Sequence, residues 1–305
     1  MIEYHSIAQL VKAAEEKGLR ISDIVLEDQA VLMERPAEDL LQTMRDSLSV
    51  MRKSVETGIR EGLRSAAGLS GGNGFLMNRY AAGDYPAGLP QAGSPLAGPP
   101  LAGAFCAKAL TKAIAVAECN ASMGKIVAAP TAGSCGILPA AILTMMEERG
   151  VTEDQAVMAL FTAWALGMVI ANEASIAGAE GGCQAECGSA AAMAAGALVE
   201  LAGGGPSQVA EACAMAIKNQ LGLVCDPVAG LVEVPCVKRN AGAVMCAIAA
   251  ADMALAGIKS VIPADEVIAA MREIGEALPR SLRETAQGGL AATPTGQALK
   301  QRIFG

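Results

Sequence analysis

The chain has 305 residues, enough for one large core or two modest ones. It is 52% hydrophobic, with a mean hydropathy of +0.38, yet only 3% aromatic, so alanine, methionine and other small side chains supply the apolar character and suit close-packed helices. A net charge of −8 and a pI near 4.9 argue against a nucleic-acid partner, which needs a basic face.

Residues 3 to about 64 read as helical with charged faces: Leu10, Val11 and Ala14 recur at helical spacing, as do Leu40, Leu41, Met44 and Leu48. Gly18 and Pro36 punctuate this region. Between Gly68 and Gly103 more than a third of the chain is Gly or Pro, which predicts little regular structure and either a functional loop or a connector. Beyond it the pattern predicts helices over about 104–121, 136–149, 153–172, 184–203, 207–220, 239–257 and 264–278. Thr152-Glu153-Asp154-Gln155 has capping-box spacing, Pro263 suits a helix start and Pro279 a helix end. Lys125 to Ala129 is the one candidate for a short strand, and no internal repeat is visible. The expected fold is mainly α: a compact multi-helix catalytic domain over 65–305 with a long Gly/Pro-rich loop and few or no strands. A helical segment over 1–64 packs on it, so that the two form one unit.

The longest clean apolar run, Ala156 to Ala171, is bounded by Gln155 and Asn172 and lacks a basic flank, and the run Ala241 to Ile258 is interrupted by Asp252. Both fit buried helices; the first falls short of the roughly 20 residues that span a bilayer. The N-terminal residues show no basic stretch followed by an apolar block, so no export signal is expected. With nine cysteines, that points to a reducing, cytoplasmic compartment.

Six cysteines, Cys106, Cys119, Cys135, Cys187, Cys213 and Cys246, fall in or beside alanine-rich helical stretches and read as small core residues. Cys183, Cys225 and Cys236 instead sit in segments marked by glycine and proline. Thiolates presented from turns suit an iron–sulfur cluster, and three of them leave one iron open. The long intervals between them match neither ferredoxin runs nor paired zinc motifs, so spacing alone leaves core filling as an alternative. The loops Ser70-Gly71-Gly72-Asn73-Gly74 and Thr131-Ala132-Gly133-Ser134 could each offer backbone N–H groups to an anion; a connector and an ordinary helix cap are the alternatives. Lys238-Arg239-Asn240, directly after Cys236, could neutralise a cluster or a carboxylate, or form a solvated helix end. The lone histidine, His5, lies at the chain start, so a Ser-His-Asp triad or a histidine zinc site is not expected.

Three segments together carry a resemblance: Ala129-Pro130-Thr131-Ala132-Gly133-Ser134, the run from Asn172-Glu173-Ala174-Ser175 through Gly181-Gly182-Cys183-Gln184, and Cys225-Asp226-Pro227 through Val234-Pro235-Cys236. They resemble the iron–sulfur-dependent L-serine dehydratases, specifically the alpha chain of the two-subunit type, over about residues 65–258. The resemblance implies a mostly helical domain and a [4Fe–4S] cluster on Cys183, Cys225 and Cys236 with one open iron. It also implies a small amino-acid substrate, L-serine, converted to pyruvate and ammonia. Substrate contacts are then expected from Ser70, Gly71, Gly72 and Asn73, from Thr131, Ala132, Gly133 and Ser134, and from Lys238, Arg239 and Asn240.

Two departures stand out. Single-chain relatives carry a separate domain with a Ser/His-rich motif that this chain does not match. The chain also ends Arg302-Ile303-Phe304-Gly305, without the terminal cysteine that reaches the open iron in some relatives. A beta chain is therefore expected to complete the site. A related lyase acting on another β-substituted amino acid such as L-cysteine, and a non-catalytic cluster-binding sensor or scaffold, are the competing readings. A pyridoxal-phosphate enzyme is a third reading, with a phosphate-suited loop at Ser70 to Gly74 but no Schiff-base lysine identified.

Overall fold

The computed structural model describes residues 4–85 and 100–305. Within them the chain forms thirteen α-helices and no β-strand. The first seven are α1 Ile7–Lys17, α2 Ile21–Leu32, α3 Ala37–Gly58, α4 Asn73–Ala81, α5 Gly103–Ala121, α6 Ile137–Arg149 and α7 Glu153–Glu173. After them come α8 Gly178–Gly181, α9 Ser189–Leu201, α10 Pro206–Lys218, α11 Cys236–Leu255, α12 Ala264–Ala277 and α13 Pro294–Phe304.

The packing is organised around α9. Alanine, glycine and serine surround its whole circumference, and every residue from Ser189 to Glu200 is buried. A helix without a polar face belongs inside, and its small side chains let α6, α7, α10 and α11 pack directly against it. Its one acid, Glu200, is satisfied internally: its carboxylate accepts from the Thr162 hydroxyl of α7 at 2.6 Å and from the Ser22 amide of α2 at 3.3 Å. By length and composition α7 could cross a membrane, but it lies between α9 and the pair α2 and α3, with 67% of its most apolar window buried. The predicted capping box starts it: Thr152 N–H donates to Gln155 Oε1 at 2.9 Å, and Gln155 N–H to Thr152 Oγ1 at 3.3 Å.

The N-terminal helices join the same core. Asp265 of α12 caps α1, accepting from the Ile7 and Ala8 amides at 2.6 and 3.1 Å. α2 and α3 pack on α7, and α3 packs on α5.

Two expectations need correction, and two helices lie where the sequence reading named none. Lys125 to Ala129 is not a strand; no second strand lies beside it, and the one isolated bridge joins Cys225 to Arg283. The Gly/Pro-rich stretch contains a helix, α4, whose first N–H groups are taken by the carboxylate of Glu118 from α5; residues 86–99 of that stretch lie outside the described residues. The predicted helix over 184–203 opens with a π-helical turn, Gln184–Gly188, before α9 begins. α13 follows the last predicted helix, capped by Thr293 Oγ1, which accepts from Gly296 N–H at 3.1 Å.

Candidate active site

Loops preceding α6, α9 and α11 meet at one end of the bundle, and each delivers a functional segment. Cys183 precedes the π-helical turn that runs into α9. The turn is anchored by the fully buried Gln184, whose Nε2 donates to Met271 O and whose Oε1 accepts from Gly222 N–H, both at 2.9 Å. Cys236 is the first residue of α11. Cys225 lies in extended chain and is clamped by a C-terminal strap: its N–H donates to Leu282 O at 2.8 Å and its C=O accepts from Glu284 N–H at 2.7 Å. All three cysteines are buried. Beside the strap opens a surface cavity of about 580 Å³, lined by Ala179, Gly230, Arg280, Arg283, Glu284 and Thr285.

The three sulfurs lie within electrostatic reach of one another. Burial first, and then the Cys183 charge, pushes the Cys236 thiol up to about 12 and raises Cys225 as well. Cys183 is lowered, chiefly because Cys187 donates to its sulfur at 3.4 Å, with Arg239 assisting; Cys187 is correspondingly raised well above an ordinary thiol. So Cys187, which sequence reading grouped with the core cysteines, touches the site. Arg239 is held by an ion pair to Asp226 Oδ1 at 2.8 Å and by donation to Val224 O at 2.8 Å. Asp226 Oδ2 in turn accepts from Leu290 N–H at 2.7 Å.

This donor set tests the cofactor directly. Among the described residues, no three His, Cys, Asp or Glu side chains converge on one point as a single ion requires. Three buried thiols, two of them raised by burial, could each hold one iron of a multi-iron cluster, whose charge would favour their deprotonation. The donors fit.

The loop before α6 reaches the same place. Asn240 of α11 fastens it: Oδ1 accepts from Gly136 N–H at 2.8 Å, while Nδ2 donates to Gly133 O at 2.7 Å and Cys236 O at 2.9 Å. Thr131 Oγ1 lies 3.2 Å from Ser134 Oγ and donates to Glu186 Oε1 at 2.8 Å, while Ala132 O accepts from Asn120 Nδ2 at 3.2 Å. The N-termini of α6 and α11 therefore point their positive dipole ends into one region.

The other predicted contacts are placed differently. Lys238 is exposed. The amides of Gly71, Asn73 and Gly74 donate to the buried carboxylate of Glu118 at 2.9, 3.2 and 2.9 Å, and Asn73 Nδ2 donates to it too. The glycine loop does wrap an anion, but the anion belongs to the protein. Gly72 caps α4, and Ser70 Oγ donates to Glu233 Oε2 at 3.2 Å, which brings that residue next to the turn before Cys236.

Sequence reading missed Glu186, Glu118 and the strap around Leu282 to Glu284. The first two carried a signal, since each is a lone acid in a run of small residues. Burial pushes the Glu186 carboxyl up, opposed by the Thr131 hydroxyl.

Comparison with known proteins finds similar chains over nearly the whole length. The family model described as serine dehydratase alpha chain matches residues 16–291. The probable L-serine dehydratase, alpha chain, of Bacillus subtilis (strain 168) is 50% identical over 302 residues, covering 99% of this chain and 96% of that protein. The L-serine dehydratase, alpha chain, of Peptoniphilus asaccharolyticus is 41% identical over 96% of both chains. L-serine dehydratase 2 of Escherichia coli (strain K12) is 38% identical over 94% of this chain but 61% of its own length.

Proposed function

The chain belongs to the serine dehydratase alpha chain family, and from that premise we propose that it deaminates L-serine to pyruvate and ammonia at a [4Fe–4S] cluster held by Cys183, Cys225 and Cys236. The observation that carries the cofactor is the gathering of three buried thiols, far apart in sequence, beside one guanidinium. When bound, a cluster with one iron lacking a protein ligand supplies Lewis acidity for the substrate hydroxyl and carboxylate.

The residues of the chain have separable tasks. Serine must lose hydroxide from Cβ and a proton from Cα. The resulting aminoacrylate tautomerises to an imine, whose hydrolysis returns the water and releases ammonia. Arg239 places a fixed positive charge among the sulfurs, held at its angle by Asp226 and the Val224 carbonyl. The strap at Leu282 to Glu284 sets the direction of Cys225, and Asn240 ties the Gly133–Gly136 loop to the base of Cys236. The amides of that loop, Thr131 to Ser134, suit the substrate carboxylate. The body of the chain has no histidine, so the base that takes the Cα proton is a Lys, Glu, Cys or Ser of this chain or a group supplied by a beta chain.

The test is anaerobic assembly with the beta chain, followed by iron and sulfide analysis and pyruvate formation from serine. Replacing Cys183, Cys225 or Cys236 by serine strips iron and turnover, whereas Cys246→Ser retains both. Unchanged iron and turnover in any of the three variants overturns the ligand assignment, and full turnover by this chain alone overturns the shared site.

A further inference from the structure

Glu186 stands among the three thiols with no lysine or arginine of the described residues within ion-pair distance; Arg239, already paired with Asp226, adds only a longer-range attraction. Its Oε1 accepts from Thr131 Oγ1 at 2.8 Å, and its Oε2 lies 3.8 Å from Cys225 Sγ. A half-buried carboxylate with no ion-pair partner suits a place where a cation arrives. Two glycines fit closely around it. A Cβ on Gly178 would stand 2.7 Å from Oε2, and one on Gly133 would stand 2.9 Å from Oε1. The carboxylate is thus seated between the α6 loop and the Cys225 segment.

The substrate has three polar groups. Its carboxylate and hydroxyl are electron-rich and find positive partners in the loop amides and the metal. Its α-ammonium carries three donors and a full charge, and requires an acceptor of opposite sign. We propose that Glu186 receives the α-ammonium group of the substrate; this rests on the serine reading of the site. The residue then sets the preference for amino acids over hydroxy acids, because a ligand without the amine leaves the carboxylate buried and unpaired.

The discriminating ligand is 3-hydroxypropionate, which keeps the hydroxyl and carboxylate of serine and lacks the amine. The cluster-loaded complex of both chains is titrated with each ligand, and binding is read from the change in the cluster spectrum alongside iron per chain. Glu186→Gln weakens serine binding about 10- to 100-fold, the worth of one charge-assisted contact, and leaves 3-hydroxypropionate within about twofold. Glu186→Asp, which keeps the charge, falls in between. Unchanged serine binding, equal weakening of both ligands, or a fall in kcat with serine binding intact overturns the proposal; the last result would make Glu186 a base. Loss of iron from both variants also overturns it, by assigning Glu186 to the support of Cys225. A native complex without iron, or one whose cluster ignores serine, removes the underlying reading first, and the two failures are thereby told apart.

Discussion

Replacing Asn240 by alanine removes three hydrogen bonds from a fully buried position, and the consequence can be worked through. The Gly136 amide lies at the start of α6, where helix geometry gives it no partner of its own, so it is left bare. The Gly133 carbonyl loses the Nδ2 donor, while the Cys236 carbonyl keeps its place in the first turn of α11. Two stranded groups at about 1–3 kcal/mol each give a loss of about 2–6 kcal/mol, a large share of the roughly 5–15 kcal/mol that holds a domain together. With an unfolding entropy of about 2.1 cal/mol/K per residue over 305 residues, that loss lowers Tm by about 3–9 °C. The assay is urea unfolding of the apo chain beside a thermal scan, comparing midpoints at constant slope. Asn240→Asp gives no rescue, since a carboxylate would face the Gly133 carbonyl where a donor is needed. A loss below about 1 kcal/mol would refute the reasoning and return Asn240 to the role of a free substrate contact.

Two further outcomes follow from the same kind of internal clamp. Glu118→Gln puts an NH₂ against amide donors and strands at least one of Gly71, Asn73 and Gly74, for a loss of about 2–4 kcal/mol; hydrogen exchange over residues 70–82 accelerates, and unchanged protection contradicts the clamp. Arg20 donates to both oxygens of Asp23, at 3.0 and 2.7 Å, and holds its carboxyl below the usual carboxylate range. The unfolded chain therefore binds that proton more tightly, and the contribution is complete above about pH 4 and lost as pH falls through the folded value. Asp23→Asn costs less than about 1 kcal/mol at neutral pH because the pair is partly solvated; acid titration of both proteins should show the difference closing.

The helices were legible because their causes are local. Thr152 and Gln155 announce the start of α7 within a single turn, and the alanine surface of α9 predicts burial without knowledge of its neighbours. The cysteine trio was legible as a break in texture, though its spacing has no short-range logic: Cys225 is positioned by Leu282 and Glu284, which the chain reaches only after α11 and α12. What stayed hidden depends on partners distant in sequence. The glycine loop at 70–74 displays an anion cradle, but nothing local says that Glu118, near the far end of the next helix, fills it. Asn240 likewise reads as an available amide beside two cations until Gly133 and Gly136 are brought to it. Polar residues in glycine-rich segments thus announce that a group will be bound; only the fold says whether that group is internal.

That distinction separates the acids of this chain by role. Glu118 and Glu200 are met by several donors supplied from the protein itself, so each closes a joint between helices and has little left to offer a ligand. Asp226 is closed too, by Arg239 and the Leu290 amide. Glu186 by contrast accepts only from a hydroxyl and a thiol, with Arg239 at longer range and burial raising its carboxyl. Stability alone would favour a neutral side chain there, since a half-buried carboxylate without an ion pair is costly. A charge kept at a cost to the fold, beside three sulfurs and a loop of backbone amides, is what a site needs when its substrate brings the missing cation with it.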